Sequence, residues 1–168
     1  MRRILVAILC LPASLACAGH AEDDPDLAHG WQEIEATLPA YPKPEQLIEF
    51  KAGPATSNRY FLDAESLSTG DDGMVHFTMV IKSPSGAQNV SFEGLRCTNG
   101  EHKLYAFGHP DGNWSRNRAA RWEPIQARNQ NNYQRELFFH YFCNVNVKRS
   151  VPELLRVLRS GGIYPQGD

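Results

Sequence analysis

Apolar residues follow three different rhythms along this chain. At the amino terminus they run unbroken: Met1-Arg2-Arg3 leads into an apolar stretch from Ile4 to Ala18, which gives way to Glu22-Asp23-Asp24-Pro25. In the centre they alternate. Val75, Phe77, Met79 and Ile81 interleave with His76, Thr78, Val80 and Lys82, the period-two pattern of a strand with one buried face and a solvated His76 on the other. Towards the carboxy terminus they recur at helical spacing, in Tyr133, Leu137, Phe138, Tyr141 and Phe142 and again in Leu154, Leu155 and Leu158.

The central rhythm predicts an antiparallel sheet of about five strands. Leu47–Phe50, Arg59–Leu62, Val75–Lys82, Asn89–Cys97 and Lys103–Phe107 are its members. Thr69-Gly70-Asp71-Asp72-Gly73 and Ser83-Pro84-Ser85-Gly86 read as the turns before and after the third. The fourth changes parity: Val90 and Phe92 share one side, Leu95 and Cys97 the other, so a bulge at Gly94 is expected to turn all four inward. Gln134-Arg135-Glu136-Leu137 is good helix material, although Leu137 to Val147 also alternates and a strand competes there. Ser150-Val151-Pro152-Glu153 is a capping box that starts a final helix, and Gly161-Gly162 ends it. The fold class is therefore α+β, a single domain with carboxy-terminal helices packed on the sheet.

The unbroken run has the architecture of a secretory signal peptide. It is too short to span a membrane, which takes about 20 apolar residues. Ala16-Cys17-Ala18 and Gly19-His20-Ala21 both satisfy the small-x-small rule, placing cleavage after 18 or 21. A lipid-modified Cys17 is the competing reading, weakened because Ser14-Leu15-Ala16 lacks leucine three positions upstream. Residues 1–21 are then the signal, 22–44 an acidic and proline-rich arm, 45–162 the domain and 163–168 a tail. Within the arm Trp31, Ile34 and Leu38 have the spacing of a short helix, and Pro39, Pro42 and Pro44 then force an extended path. Its aromatics are expected to dock on the domain, leaving an acidic tip frayed.

Export changes how the cysteines read. Either cut removes Cys10 and Cys17 and leaves Cys97 and Cys143, which pair most simply with each other in an oxidising compartment. Closing that loop stabilises by about 4 kcal/mol in the chain-entropy model. About 150 residues remain, enough for one domain with a core, and no second long apolar segment follows. The whole chain carries a net charge of −2. Such a balance suits neither a nucleic-acid scaffold nor a cationic membrane binder.

Several of these stretches together resemble a known family. Arg59-Tyr60-Phe61-Leu62-Asp63-Ala64-Glu65-Ser66-Leu67, Phe77 to Ser83, Asn89 to Cys97 and Tyr141-Phe142-Cys143 are similar to the cryptic neisserial protein 1-like family, over about Trp31 to Leu158. The resemblance implies a periplasmic location. It supplies no catalytic or ligand-binding residues.

Chemistry is sparse at the level of motifs. The six histidines, His20, His29, His76, His102, His109 and His140, form no metal-binding spacing, so no metal or cofactor is expected. His140, among aromatics, reads as a hydrogen-bonded core or boundary residue. No G-x-S-x-G elbow occurs, and Asp63, Glu65, Glu93 and Glu101 offer acid–base pairs no more pointed than any chain of this size. One segment is distinctive. From Trp114 to Arg135 the chain carries Arg116, Arg118, Arg121, Arg128 and Arg135, with Trp114 and Trp122 between amides and only Glu123 opposing. Arginine forks grip carboxylate and phosphate, and tryptophan faces stack on sugars, so Trp114, Arg116, Arg118, Arg121 and Trp122 form a candidate patch for an anionic glycan, lipid or partner protein. The plainer reading is a loop docked by its two tryptophans with solvated arginines. The sequence thus points to a non-enzymatic periplasmic envelope module. A small periplasmic hydrolase without a recognisable motif is the alternative.

Overall fold

The structure, a computed structural model, describes residues 31–53, 56–125, 133–143 and 149–163. The chain divides between Gln32 and Glu33, and the sheet and its helices belong to the unit from Glu33 onward. The expected signal segment and the expected frayed acidic tip of the arm fall outside the described residues.

The sheet is antiparallel and has eight strands rather than five. They are β1 (Leu47–Phe50), β2 (Arg59–Asp63), β3 (Ser68–Thr69), β4 (Met74–Lys82), β5 (Gln88–Arg96), β6 (Glu101–Gly108), β7 (Trp114–Arg116) and β8 (Glu123–Pro124). The path runs β1-β2-β4-β5-β6-β7, with β3 beside β4 and β8 beside β6. The three additional strands are two or three residues long, too short to show a period in sequence. Both expected turns form: Gly73 sits at φ +80° and Gly86 at φ +88°, where the missing Cβ removes the steric cost.

Two long strands depart from the one-sided pattern. Seven of the nine residues in β4, from Met74 to Val80, are buried, so both its faces are covered. His76 is accordingly buried and stacked on Phe92 with ring centroids 6.0 Å apart, not solvated. The expected bulge at Gly94 is absent, because β4 and β5 pair without interruption from Met74↔Arg96 to Lys82↔Gln88. The register shift lies one strand over. Phe92 faces Ala106 while Glu93 faces Leu104, leaving Tyr105 as the extra residue on β6. The parity change in β5 therefore sends its residues to opposite faces. Leu95 and Cys97 join one core with Phe77, Met79, Leu137, Phe142, Leu154 and Leu158. Val90 and Phe92 join smaller clusters on the other face with Tyr41, Leu38 and Trp114.

Helices cover the first face. Helix α1 (Tyr133–Glu136) continues into a π-helical segment, Leu137–Phe142, closed by the Cys143 N–H donating to the Phe138 carbonyl at 2.9 Å. This widened turn lets the adjacent Tyr141 and Phe142 both turn inward beside Leu137. Helix wins over strand for residues 133–142; residues 144–148 lie outside the described residues. Helix α2 (Val151–Arg159) starts where the Ser150 N–H donates to the Glu153 carboxylate at 2.8 Å, and Gly161 and Gly162 end it at φ +83° and +121°. Cys97 and Cys143 are bonded across 46 positions, tying the end of β5 to the end of the π-helical segment.

The second face is crossed by residues 33–43, which are extended. The helix expected from Trp31, Ile34 and Leu38 does not form. Instead the Ile34 N–H donates to the Asp72 carboxylate at 3.1 Å, Leu38 packs on the Phe92 cluster and Tyr41 meets Trp114 with ring centroids 5.7 Å apart. Helical spacing over eight residues loses to these side-by-side contacts and to the prolines beyond them.

Candidate functional site

The arginine-bearing segment is held at both ends by one strand. Trp114, Ser115 and Arg116 of β7 pair with Gly108, Phe107 and Ala106, and Glu123 and Pro124 of β8 pair with His102 and Glu101 of the same β6. Asn117 shapes the connection between them. Its N–H reaches the Tyr105 carbonyl at 2.7 Å, its side-chain amide donates to the Leu104 carbonyl at 3.0 Å, and its side-chain oxygen accepts from Ala119 at 3.1 Å.

Both tryptophans face the extended segment. The Trp114 indole N–H donates to the Pro39 carbonyl at 3.0 Å and its ring lies against Phe92, 6.4 Å between centroids. The Trp122 N–H donates to the Glu33 carboxylate at 3.1 Å, and its ring is covered by Arg96 at 5.1 Å and Lys103 at 5.5 Å. Arg116, Arg118 and Arg121 are exposed. Arg121 pairs with Glu123 at 3.0 Å, whereas Arg116 and Arg118 have no ion pair among the described residues. The tryptophans and arginines thus divide the two roles that sequence alone leaves to one patch: the rings anchor, and the guanidinium groups point to solvent. Arg128 lies outside the described residues. Arg135 belongs to α1, paired with Glu136 at 3.3 Å and set over Phe139.

Glu33 is the hub beneath this segment, and no spacing rule singles it out. Its carboxylate accepts two bonds from the Lys103 ammonium, at 2.7 and 3.0 Å, and one from the Tyr105 hydroxyl at 2.8 Å, besides that of Trp122. Burial pushes its pKa up, but the bonds from Lys103, Tyr105 and Trp122 outweigh that and hold it below the ordinary carboxylate range. The Tyr105 hydroxyl is correspondingly pushed up by burial and by the Glu33 charge. His76, desolvated beside Tyr105, is pushed down.

Among the described residues, two concavities stand out on the helix-covered face. The larger, about 500 Å³, opens between the β1–β2 hairpin and the π-helical segment. Phe50, Tyr60 and Tyr141 line its floor, and Glu49, Lys51, Arg59, Glu136 and His140 contribute to its walls. Glu49 and Arg59 form a two-bond ion pair, and His140 Nε2 lies 3.6 Å from Glu136, on the boundary between core and solvent. The smaller, about 330 Å³, is bordered by the buried Glu93. Ser91 and Tyr133 donate to the Glu93 carboxylate at 2.5 and 2.6 Å, yet burial still pushes its pKa up. A serine–imidazole contact occurs elsewhere, with His109 Nε2 2.7 Å from Ser115 Oγ on the exposed β6–β7 hairpin. The neighbouring Asp111 directs both carboxylate oxygens to Asn113, so it does not orient that imidazole as a triad acid does. Asp63, also buried, instead holds the turn after β2 by accepting from Glu65 and Ser66. Among the described residues no three metal-ligating side chains converge, and no helix is long and apolar enough to cross a membrane.

The model of the CNP1-like family matches residues 26–159. Cryptic neisserial protein 1 of Neisseria gonorrhoeae (strain ATCC 700825 / FA 1090) is 25% identical over 188 residues, covering 95% of this chain and 93% of that one. No solved structure matches.

Proposed function

We propose that this chain, which belongs to the CNP1-like family, is a non-enzymatic module of the bacterial periplasm that binds an anionic envelope component or an acidic face of a partner protein. The compartment is supported by the signal-like amino terminus and by a cysteine pairing suited to an oxidising environment. The observation that carries the binding reading is the display of Arg116 at the end of β7 and of Arg118 and Arg121 on the short connection to β8, a segment fixed to β6 at both ends. A pinned connection holds its arginines close together without the ordering cost of a loose loop, which favours capture of carboxylate or phosphate oxygens. Crosslinking in the periplasm followed by recovery of the tagged protein tests this. The wild type is expected to recover an anionic partner that the Arg116→Glu, Arg118→Glu, Arg121→Glu variant loses. Equal recovery by both in low salt overturns the reading.

A further inference from the structure

The 500 Å³ cleft between the β1–β2 hairpin and the π-helical segment has the size of a small-molecule site and is separate in the fold from the arginine connection. Its floor is already ordered. Phe50 packs edge-on against Tyr141 at 5.4 Å and lies 6.1 Å from Tyr60. The Tyr141 hydroxyl is fixed by the Lys51 backbone, accepting from its N–H at 3.3 Å and donating to its carbonyl at 3.4 Å, and the Tyr60 hydroxyl lies 3.3 Å from Thr56 Oγ1. A preformed aromatic floor takes an apolar body with little further loss of conformational freedom.

The walls decide the charge of what enters. Both carboxylates are already engaged, Glu49 by the Arg59 fork and Glu136 by Arg135 and His140. Lys51 is exposed and has no ion pair among the described residues. Among the charged residues that line the cleft, the charge left without a counterion is therefore positive.

We infer that this cleft binds a small amphipathic carboxylate, with its hydrocarbon on the Phe50–Tyr60–Tyr141 floor and its carboxylate at the Lys51 ammonium. Octanoate is the probe, with octan-1-ol and octyltrimethylammonium as neutral and cationic counterparts, titrated into the mature protein and followed by backbone amide NMR shifts. Octanoate is expected to saturate one site, moving the amides of residues 49–53, 58–60 and 140–141, with the other two binding about tenfold more weakly. Lys51→Glu should weaken octanoate by about tenfold or more at unchanged melting temperature, while Lys51→Arg retains it. The Arg116→Glu, Arg118→Glu, Arg121→Glu variant should bind octanoate as the wild type does, which separates this site from the arginine connection. Shifts centred on residues 116–121, equal binding of all three headgroups, no saturation, or indifference to Lys51→Glu overturns the inference.

Discussion

Glu93 is buried and Glu33 partly buried, and their environments push them in opposite directions. Glu33 is held ionised by Lys103, Tyr105 and Trp122, so its folded pKa lies below the unfolded one. Its stabilisation is complete above the unfolded value and is lost as pH falls through the folded one. Glu33→Gln should cost about 1.5–3 kcal/mol at neutral pH, the scale of charge-assisted hydrogen bonds, and the deficit should shrink below about pH 4. Thermal melts of both proteins at neutral and acidic pH check this. For Glu93, burial wins over Ser91 and Tyr133 and raises the folded pKa. The wild type therefore loses stability as pH rises from the unfolded value through the folded one, a loss from which Glu93→Gln is free. The stability of Glu93→Gln relative to wild type should rise with pH across that window in chemical denaturation. A relative stability that falls with pH contradicts the assignment. Neither role is legible in the sequence, since each depends on partners from distant strands or helices: Lys103 and Tyr105 for Glu33, Tyr133 for Glu93.

The elements themselves were legible wherever they were long. The alternation of Val75, Phe77, Met79 and Ile81 locates β4, and Ser150 to Glu153 locates the start of α2. Reading that alternation as one buried face misplaced His76, because residues 33–43 cover the side of β4 that the pattern marks as polar. The Gly94 signal was real but had a different cause. A Cβ there would stand 2.9 Å from Tyr105 Cε2, 3.1 Å from its hydroxyl and 3.3 Å from His76 Cδ2, so the glycine makes room for the extra residue on β6. Gly94→Ala should destabilise by about 1–3 kcal/mol through overpacking, measurable as a lowered denaturation midpoint. The bridge between β5 and the π-helical segment should matter more. Replacing Cys97 and Cys143 together by serine should cost about 4 kcal/mol, and a double variant as stable as the oxidised wild type would contradict its part in holding the helices on the sheet.

At the scale of the whole unit, one sheet carries two covers of different chemistry. Helices tied by a disulfide close one face with a large apolar core. An extended segment tied by Glu33, Pro39 and Tyr41 closes the other with aromatics and buried charge. The arginine connection lies beside the second cover, and its two tryptophans contact that cover directly. Composition made the arginines visible in the sequence. The cleft was not visible there, because Glu49 and Arg59 come from the first hairpin while Glu136 and His140 come from a helix far along the chain. Melting temperature and capture of an anionic partner, measured on the same variants, test the division of labour between anchor and display. Trp114→Ala and Trp122→Ala should each lower the melting temperature by loosening the extended segment. The Arg116→Glu, Arg118→Glu, Arg121→Glu variant should melt with the wild type and lose capture in low salt. Capture that survives this triple reversal, or a melting temperature that falls with the arginines and not with the tryptophans, contradicts the account.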